Sequence, residues 1–222
     1  MDNKIISAIK RYYWSLRQKK SKFNWPGKSG DYWEARYAEG GSSGSGSYGK
    51  LANFKAEVLN DFISRKGVGS VIEFGCGDGN QLTLGRYPRY LGLDVSATAI
   101  SMCKQLFATD SNKEFRLVSD YREERADLCL SLDVIYHLVE DSAFEPYMHM
   151  LFSAADRYVI IYSSDFDQVE RAVHVRHRHF SKWVDEHIRN WTLVDRIPNR
   201  YPDVGGSEEG SFADFFIYEK QG

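Results

Sequence analysis

The chain has 222 residues, 42% of them hydrophobic and 14% aromatic, which predicts one domain with a substantial core and at most a small appendage. A net charge of −2 excludes a global attraction to nucleic acid or to a membrane surface, although a local patch could still provide one. Cys76, Cys103 and Cys129 follow no metal-ligand spacing and read as buried thiols in a reducing compartment. The residues from Met1 to Ile6 lack the apolar core of a signal peptide, and no segment has the length of a membrane span, so the expectation is a cytoplasmic protein.

In chain order, residues 1–22 are basic and aromatic, with Ile5, Ile6, Ile9, Tyr12, Tyr13 and Leu16 at helical spacing, and predict an amphipathic helix. Trp25-Pro26-Gly27 marks a turn, and a short helix over 31–39 follows with Asp31 as its N-cap. The Gly/Ser run 40–47 predicts a flexible loop suited to closing over a ligand, leading into a helix over 51–64. From residue 70 the pattern repeats as strand, loop, helix. Strands are predicted at 70–74, 90–95, 114–118, 126–132 and 158–163, with helices at 96–107, 142–155 and 181–189. Two last strands, near 193–198 and 212–219, flank a Pro/Gly-containing connection as in a long hairpin. Such alternation argues for a parallel sheet covered on both faces. The organisation read from it is a helical cover with its Gly/Ser loop over 1–50 and a main domain over 51–222.

The richest stretch runs from Val71 to Asn80: an apolar strand ending in Glu73-Phe74, then glycines at 75, 77 and 79. Glycine lets the backbone turn sharply and lets a ligand approach the main chain. A strand, glycine loop and helix in that order bind nucleotide-like cofactors at the carboxyl ends of strands. A dinucleotide fingerprint requires its third glycine one position later, where Asn80 stands, and an acid just before the first glycine would repel a pyrophosphate. Asp94 closes the second strand about twenty residues on, where an acid can accept hydrogen bonds from both ribose hydroxyls. The plain alternative, an acid capping the next helix, is weakened because Ser96 can do that instead.

Glu73 with Gly75, Gly77 and Gly79 resembles motif I of the class I S-adenosylmethionine-dependent methyltransferases, whose ligand carries an ammonium and a sulfonium that tolerate a nearby acid. The resemblance spans residues 70–220, with a cover at 30–50. It implies an α/β fold with a Rossmann-like, seven-stranded, mostly parallel sheet closed by an antiparallel hairpin, helices on both faces and an N-terminal helical cover, with S-adenosylmethionine as cofactor. It also implies that Asp120 faces the adenine amino group, with Tyr121 stacking beside the ring and Ser119 competing for the polar contact. Backbone carbonyls near Leu130 and Ser131 would hold the methionine ammonium. Tyr32 to Tyr37 resembles the cofactor-covering helix, in which Arg36 could pair with the methionine carboxylate, with Tyr37 or Tyr48 nearby and Trp33 packed on the sheet. The segment ending in His137-Leu138 lies over the methyl-transfer centre. His137 is a candidate general base, because the ordinary imidazole range suits proton removal near neutrality, or it packs the cofactor's floor. Asp133 shares a helical face with it if this turn is helical, and Tyr136 belongs to the substrate side.

Arg176, His177, Arg178 and His179 follow the fifth strand and could form an anion-reading wall, with the arginines on one side and the histidines on the other; the alternative is a solvated basic turn. The sequence lacks the Asn-Pro-Pro-Tyr and Asp-Pro-Pro-Tyr signatures used on base amines, and no Pro-Cys follows the fourth strand. The reading is O-methylation of a small anionic or sugar-type acceptor by a protein with no metal and no membrane partner. Its rivals are metal-assisted RNA 2′-O-methylation, through Asp133, His137 and His177 or His179, and a cofactor-binding partner subunit that has lost catalysis. The sequence leaves oligomeric state open.

Overall fold

The computed structural model describes residues 29–169, 174–203 and 210–222, so the amphipathic segment 1–22 and the turn at Trp25-Pro26-Gly27 lie outside the described residues. Helix α1 (Ser29–Ala38) begins two residues before the expected cap. Helix α2 (Gly49–Lys66) follows, then β1 (Val71–Phe74), β2 (Tyr90–Asp94), α3 (Ala97–Leu106), β3 (Lys113–Leu117), β4 (Ala126–Leu132) and α4 (Asp141–Ser153). The chain continues through β5 (Ala155–Ser163), a short ribbon of β6 (Gln168–Val169) with β7 (Arg176–His177), α5 (Phe180–His187), β8 (Trp191–Ile197) and β9 (Asp214–Lys220).

Seven strands form one sheet in the order β3-β2-β1-β4-β5-β9-β8. The first five are parallel to one another, and β9 runs antiparallel to both β5 and β8. This is the expected Rossmann-like sheet with its closing antiparallel pair. β1 and β2 are buried along their whole length, as strands covered on both faces must be. On one face, Phe54, Leu59, Phe62 and Ile63 of α2 and Ile100 and Cys103 of α3 pack on Val71, Leu128, Leu130 and Ile160. On the other, Phe144, Met148, Leu151 and Phe152 of α4 and Phe180 and Val184 of α5 cover Ile72, Phe74, Cys129 and Ile161. Each such side chain contributes about 1.5–3 kcal/mol by leaving water. All three cysteines are free and buried. No helix among the described residues is long and apolar enough to cross a membrane.

The sheet also sets where a ligand can sit. From β1 the chain moves outward through β2 to β3, whereas β4 and β5 lie on its other side, so the strand order reverses between β1 and β4. Ligands of open α/β sheets bind at the carboxyl ends of strands beside such a reversal. The register pairs Glu73 with both Gly92 and Leu130, which brings the ends of β1, β2 and β4 to one rim.

Candidate functional site

At that rim a cleft of about 870 Å³, its open mouth included, is lined by the glycine loop, Asp94, Asp133 and the cover. Ligand pockets commonly enclose roughly 300–1,000 Å³. The loop leaves β1 at Gly75 with φ +90° and passes Gly77 at φ +57°. A Cβ on Gly75 would come within 2.5 Å of Val134 Cγ2, and one on Gly77 would strike Ser43 Oγ, so neither position tolerates a side chain. The turn is fastened to β2: the Gly75 and Cys76 amides donate to Leu93 O at 2.7 and 3.1 Å, and the Gly77 amide donates to Asp94 Oδ2 at 2.9 Å. Asp94 Oδ1 accepts from the Ser96 amide at 2.9 Å, and Ser96 Oγ caps α3 by accepting from Ala99 N at 3.0 Å. Burial raises the Asp94 pKa, against these backbone donors, which lower it. Glu73 is buried and accepts from Tyr90 Oη at 2.7 Å; burial pushes it up to about 7.

The cover is pinned at three places. Glu34 of α1 accepts from Ser96 Oγ at 2.6 Å and Thr98 Oγ1 at 2.7 Å, and those bonds hold its carboxyl below the ordinary range. Ser29 Oγ donates to Glu140 Oε2 at 2.5 Å. The Gly/Ser loop docks on the glycine loop through Asp78, whose Oδ2 accepts from the Ser43 amide and from Tyr48 Oη, each at 2.8 Å. Asn80 Nδ2 adds a bond to Ser47 O at 2.6 Å. The segment expected to be a flexible flap is therefore found closed. Tyr37 lines the cleft, and so does Trp33, for which sheet packing had been expected. Arg36 does not: its Nε donates to Ser42 O at 2.7 Å and its guanidinium lies over Trp33. Tyr48 is likewise outside the cleft lining, spent on Asp78.

Beyond β4 the expected helical face does not form. Asp133 leaves the strand at φ +60°, and only Ile135–His137 make a turn of 3-10 helix. Asp133 and His137 both line the cleft but have separate partners. Asp133 Oδ2 accepts from Lys55 Nζ at 2.6 Å and Oδ1 from Tyr136 Oη at 2.9 Å. His137 Nδ1 lies 2.9 Å from His174 O, so that nitrogen carries the proton. Its ring sits edge-on to Trp33 and parallel to the His174 ring. Burial lowers the His137 pKa to about 4, so the near-neutral titration that suggested a general base does not apply.

Several expected contacts are not brought to the cleft. Asp120 is exposed, with Ser119, and Val118 lines the cleft in their place. Tyr121 packs edge-on against Phe74 and donates to Glu124 O at 2.7 Å. Ser131 is buried, its hydroxyl accepting from Tyr147 at 2.7 Å. Arg176 and Arg178 do share a side, as the strand period predicts, but it is the side of Asp141. Arg178 donates to Leu138 O, Val139 O and Asp141, while Arg176 reaches Val139 O at 3.0 Å. His177 is buried with Ser164 Oγ 2.6 Å from its Nδ1, whereas His179 is exposed beside Asp165. Among the described residues no group of three or more His, Cys, Asp or Glu side chains is arranged to hold a metal ion.

Lys55, Gln81 and Tyr147 are among the cleft residues that escaped the sequence reading. A signal existed for Lys55, which stands between Leu51 and Leu59 at helical spacing, on the face that α2 buries. Gln81 Nε2 donates to Ala52 O at 3.1 Å, and its Oε1 is a buried acceptor without a protein partner.

No family model matches the sequence, and no curated protein matches it. Solved structures do match in fold. Magnesium protoporphyrin IX methyltransferase (ChlM) from Synechocystis PCC 6803, with S-adenosylmethionine bound, gives a TM-score of 0.61 at 13% identity over 90% of this chain and 100% of its own. The N-methyltransferase NodS from Bradyrhizobium japonicum WM9, in complex with S-adenosylhomocysteine, gives 0.60 at 17% over 75% and 84%. The methyltransferase domain of bacterial CtHen1 gives 0.57 at 18% over 74% and 97%. With its strand order, its glycine turn and the acid closing β2, this chain has the fold of the class I S-adenosylmethionine-dependent methyltransferases.

Proposed function

We propose that the chain is an S-adenosylmethionine-dependent methyltransferase acting on an oxygen of a small sugar-type or anionic acceptor. The observation that carries this reading is the meeting of the Gly75–Gly77 turn, the Asp94 carboxylate and the Asp133 carboxylate in one covered cleft at the ends of β1, β2 and β4, while Gly79, also expected at the cofactor, packs against Cys103 and Phe107 instead. These residues fit the cofactor. Asp94 retains lone pairs for ribose hydroxyls after accepting from Gly77 and Ser96, Val95 and Val118 offer apolar flanks to a base, and Gln81 Oε1 is a buried acceptor lacking a donor. When bound, S-adenosylmethionine would supply a sulfonium-borne methyl group to an oxygen or nitrogen nucleophile, with S-adenosylhomocysteine as the leaving group.

The protein's share is mostly alignment, a large entropic contribution. Asp133, held by Lys55 and Tyr136, accepts the acceptor's hydroxyl proton on the lone pairs those donors leave. His137, neutral above a pKa of about 4, serves better as a wall beside Trp33 than as a proton acceptor. Arg176 and Arg178 are engaged with carbonyls and Asp141, which favours the sugar-type acceptor over the anionic one.

Calorimetry with S-adenosylhomocysteine, followed by a methyl-transfer screen over nucleotide sugars, glycans and short RNAs, tests the reading. Binding of the nucleoside and methylation of a sugar hydroxyl are expected. Tight NAD binding with no affinity for S-adenosylhomocysteine would overturn it, and transfer confined to RNA would overturn the acceptor.

A further inference from the structure

Lys55 and Asp133 lie 78 residues apart in sequence and meet at 2.6 Å inside the cleft. The lysine side chain is 1% exposed and the aspartate 14%, so the pair is removed from water on the lysine's side and opens to the cleft on the other. The ammonium also lies 5.3 Å from the centre of the Tyr162 ring, and the Asp133 amide donates to Tyr162 O at 2.9 Å, so α2, β4 and β5 converge on this point.

We propose that Lys55 is the positioning residue of the acceptor side: it fixes the Asp133 carboxylate as an acceptor turned to the cleft and thereby selects uncharged, proton-bearing acceptors such as hydroxyls over carboxylates. The proposal rests on the methyltransferase reading above. Three observations carry it. First, a buried ion pair is a poor stability device, since apolar residues of similar volume commonly serve as well or better. Its retention on the otherwise apolar face of α2 therefore calls for another use. Second, Asp133 adopts φ +60°, a conformation disfavoured for residues with a Cβ, where the strand gives way to the cleft. Such strain persists where surrounding contacts enforce it, and Lys55 and Tyr136 take one carboxylate oxygen each. Third, the closed loop leaves no room on the far side: a Cβ on Gly46 would lie 3.0 Å from Asp133 Oδ2. The carboxylate is thus held on three sides.

The charge arithmetic gives the selectivity. Lysine and aspartate sum to zero, so the site offers an incoming group no net attraction by charge, only lone pairs that require a donor. A hydroxyl supplies one. A carboxylate has no proton to give and gains no hydrogen bond from those lone pairs.

Binding of two nucleosides reads this without a known acceptor. S-adenosylhomocysteine is neutral at sulfur, whereas sinefungin carries an ammonium where the transferred methyl would be. Calorimetry on the full chain at pH 8.5 is expected to show a sinefungin preference that falls at least ten-fold in Asp133→Asn. In Lys55→Met the uncompensated carboxylate should raise the preference at least ten-fold while affinity for S-adenosylhomocysteine stays within about three-fold. Lys55→Arg should return the wild-type ratio. Should Lys55→Met fail to fold, Lys55→Arg and Asp133→Asn still decide. Good S-adenosylhomocysteine binding with a ratio unmoved by Asp133→Asn, unmoved or lowered by Lys55→Met, or not returned to the wild-type value by Lys55→Arg, overturns this proposal alone. Binding of neither nucleoside by the wild-type chain overturns the methyltransferase reading and this proposal with it.

Discussion

Ser43 and Asp78 hold each other through a reciprocal pair of hydrogen bonds: the Ser43 amide donates to Asp78 Oδ2 at 2.8 Å, and the Asp78 amide donates to Ser43 Oγ at 2.9 Å. Ser43 Oγ also lies 2.9 Å from Tyr37 Oη, so one serine joins the covering loop, the covering helix and the glycine loop. Ser43→Ala removes two of these bonds, each worth about 0.5–1.5 kcal/mol. Amide exchange over residues 41–48 should accelerate by about ten-fold, and S-adenosylhomocysteine should dissociate faster with little change in melting temperature. Unaltered exchange would mean that the Tyr48 and Asn80 bonds suffice to keep the loop closed.

Asp94 has a second task, because its two oxygens hold the Gly77 and Ser96 amides. Asp94→Ala should therefore lower stability as well as nucleoside affinity, each by about 1.5–3 kcal/mol, since it orphans buried donors and removes charge-assisted bonds. Denaturant melts and calorimetry separate the two losses. Full nucleoside affinity in a folded Asp94→Ala chain would take this residue out of the binding site.

Arg178 is a structural clasp. Its side chain is 12% exposed, it lies over the Phe144 ring, and it bonds the two carbonyls that precede α4. Arg178→Ala should cost about 2 kcal/mol of stability and leave nucleoside binding unchanged. Arg176→Ala, at a more exposed group, should cost less. A loss of nucleoside affinity in a stable Arg178→Ala protein would return this segment to the cleft.

His137 gives a pH signature. Burial holds its pKa at about 4 against an ordinary 6.5, so the stability contributed by the neutral imidazole is full above pH 6.5 and is lost as pH falls through 4. The gap between wild type and His137→Phe should change across that window by up to about 3 kcal/mol, wild type being favoured at the upper end. Denaturant midpoints at half-unit intervals would reveal it, and a constant gap would mean that this imidazole titrates as it does in water.

The glycine loop, Asp94 and the sheet were legible because each rests on local chemistry: positive φ at Gly75, a strand-ending acid, an alternation of apolar runs. The Ser96 cap was legible for the same reason. Contacts made at long range were not. Strand periodicity put Arg176 and Arg178 on one side but could not say that this side faces Asp141, nor that His179 leaves the two-residue strand and ends as the residue preceding α5. Asp133 was visible as a strand-end acid, whereas its partner Lys55 lies on α2, with strands β1 to β4 between the two in the chain. The depressed His137 pKa arises from packing by Trp33 and His174, which no local pattern encodes.

Glu73 and His137 line the same cleft, and their burial displaces protons in opposite senses. The stability tied to the raised Glu73 pKa is full below pH 4.5 and lost as pH rises through about 7, whereas that tied to His137 is gained from about 4 to 6.5. Between pH 4.5 and 6.5 the folded chain keeps one proton the unfolded chain has shed and sheds one the unfolded chain keeps. For these two groups alone, folding then takes up almost no net proton, and their two slopes cancel. Against the wild-type profile, Glu73→Gln should add a rise with pH across this interval and His137→Phe a fall.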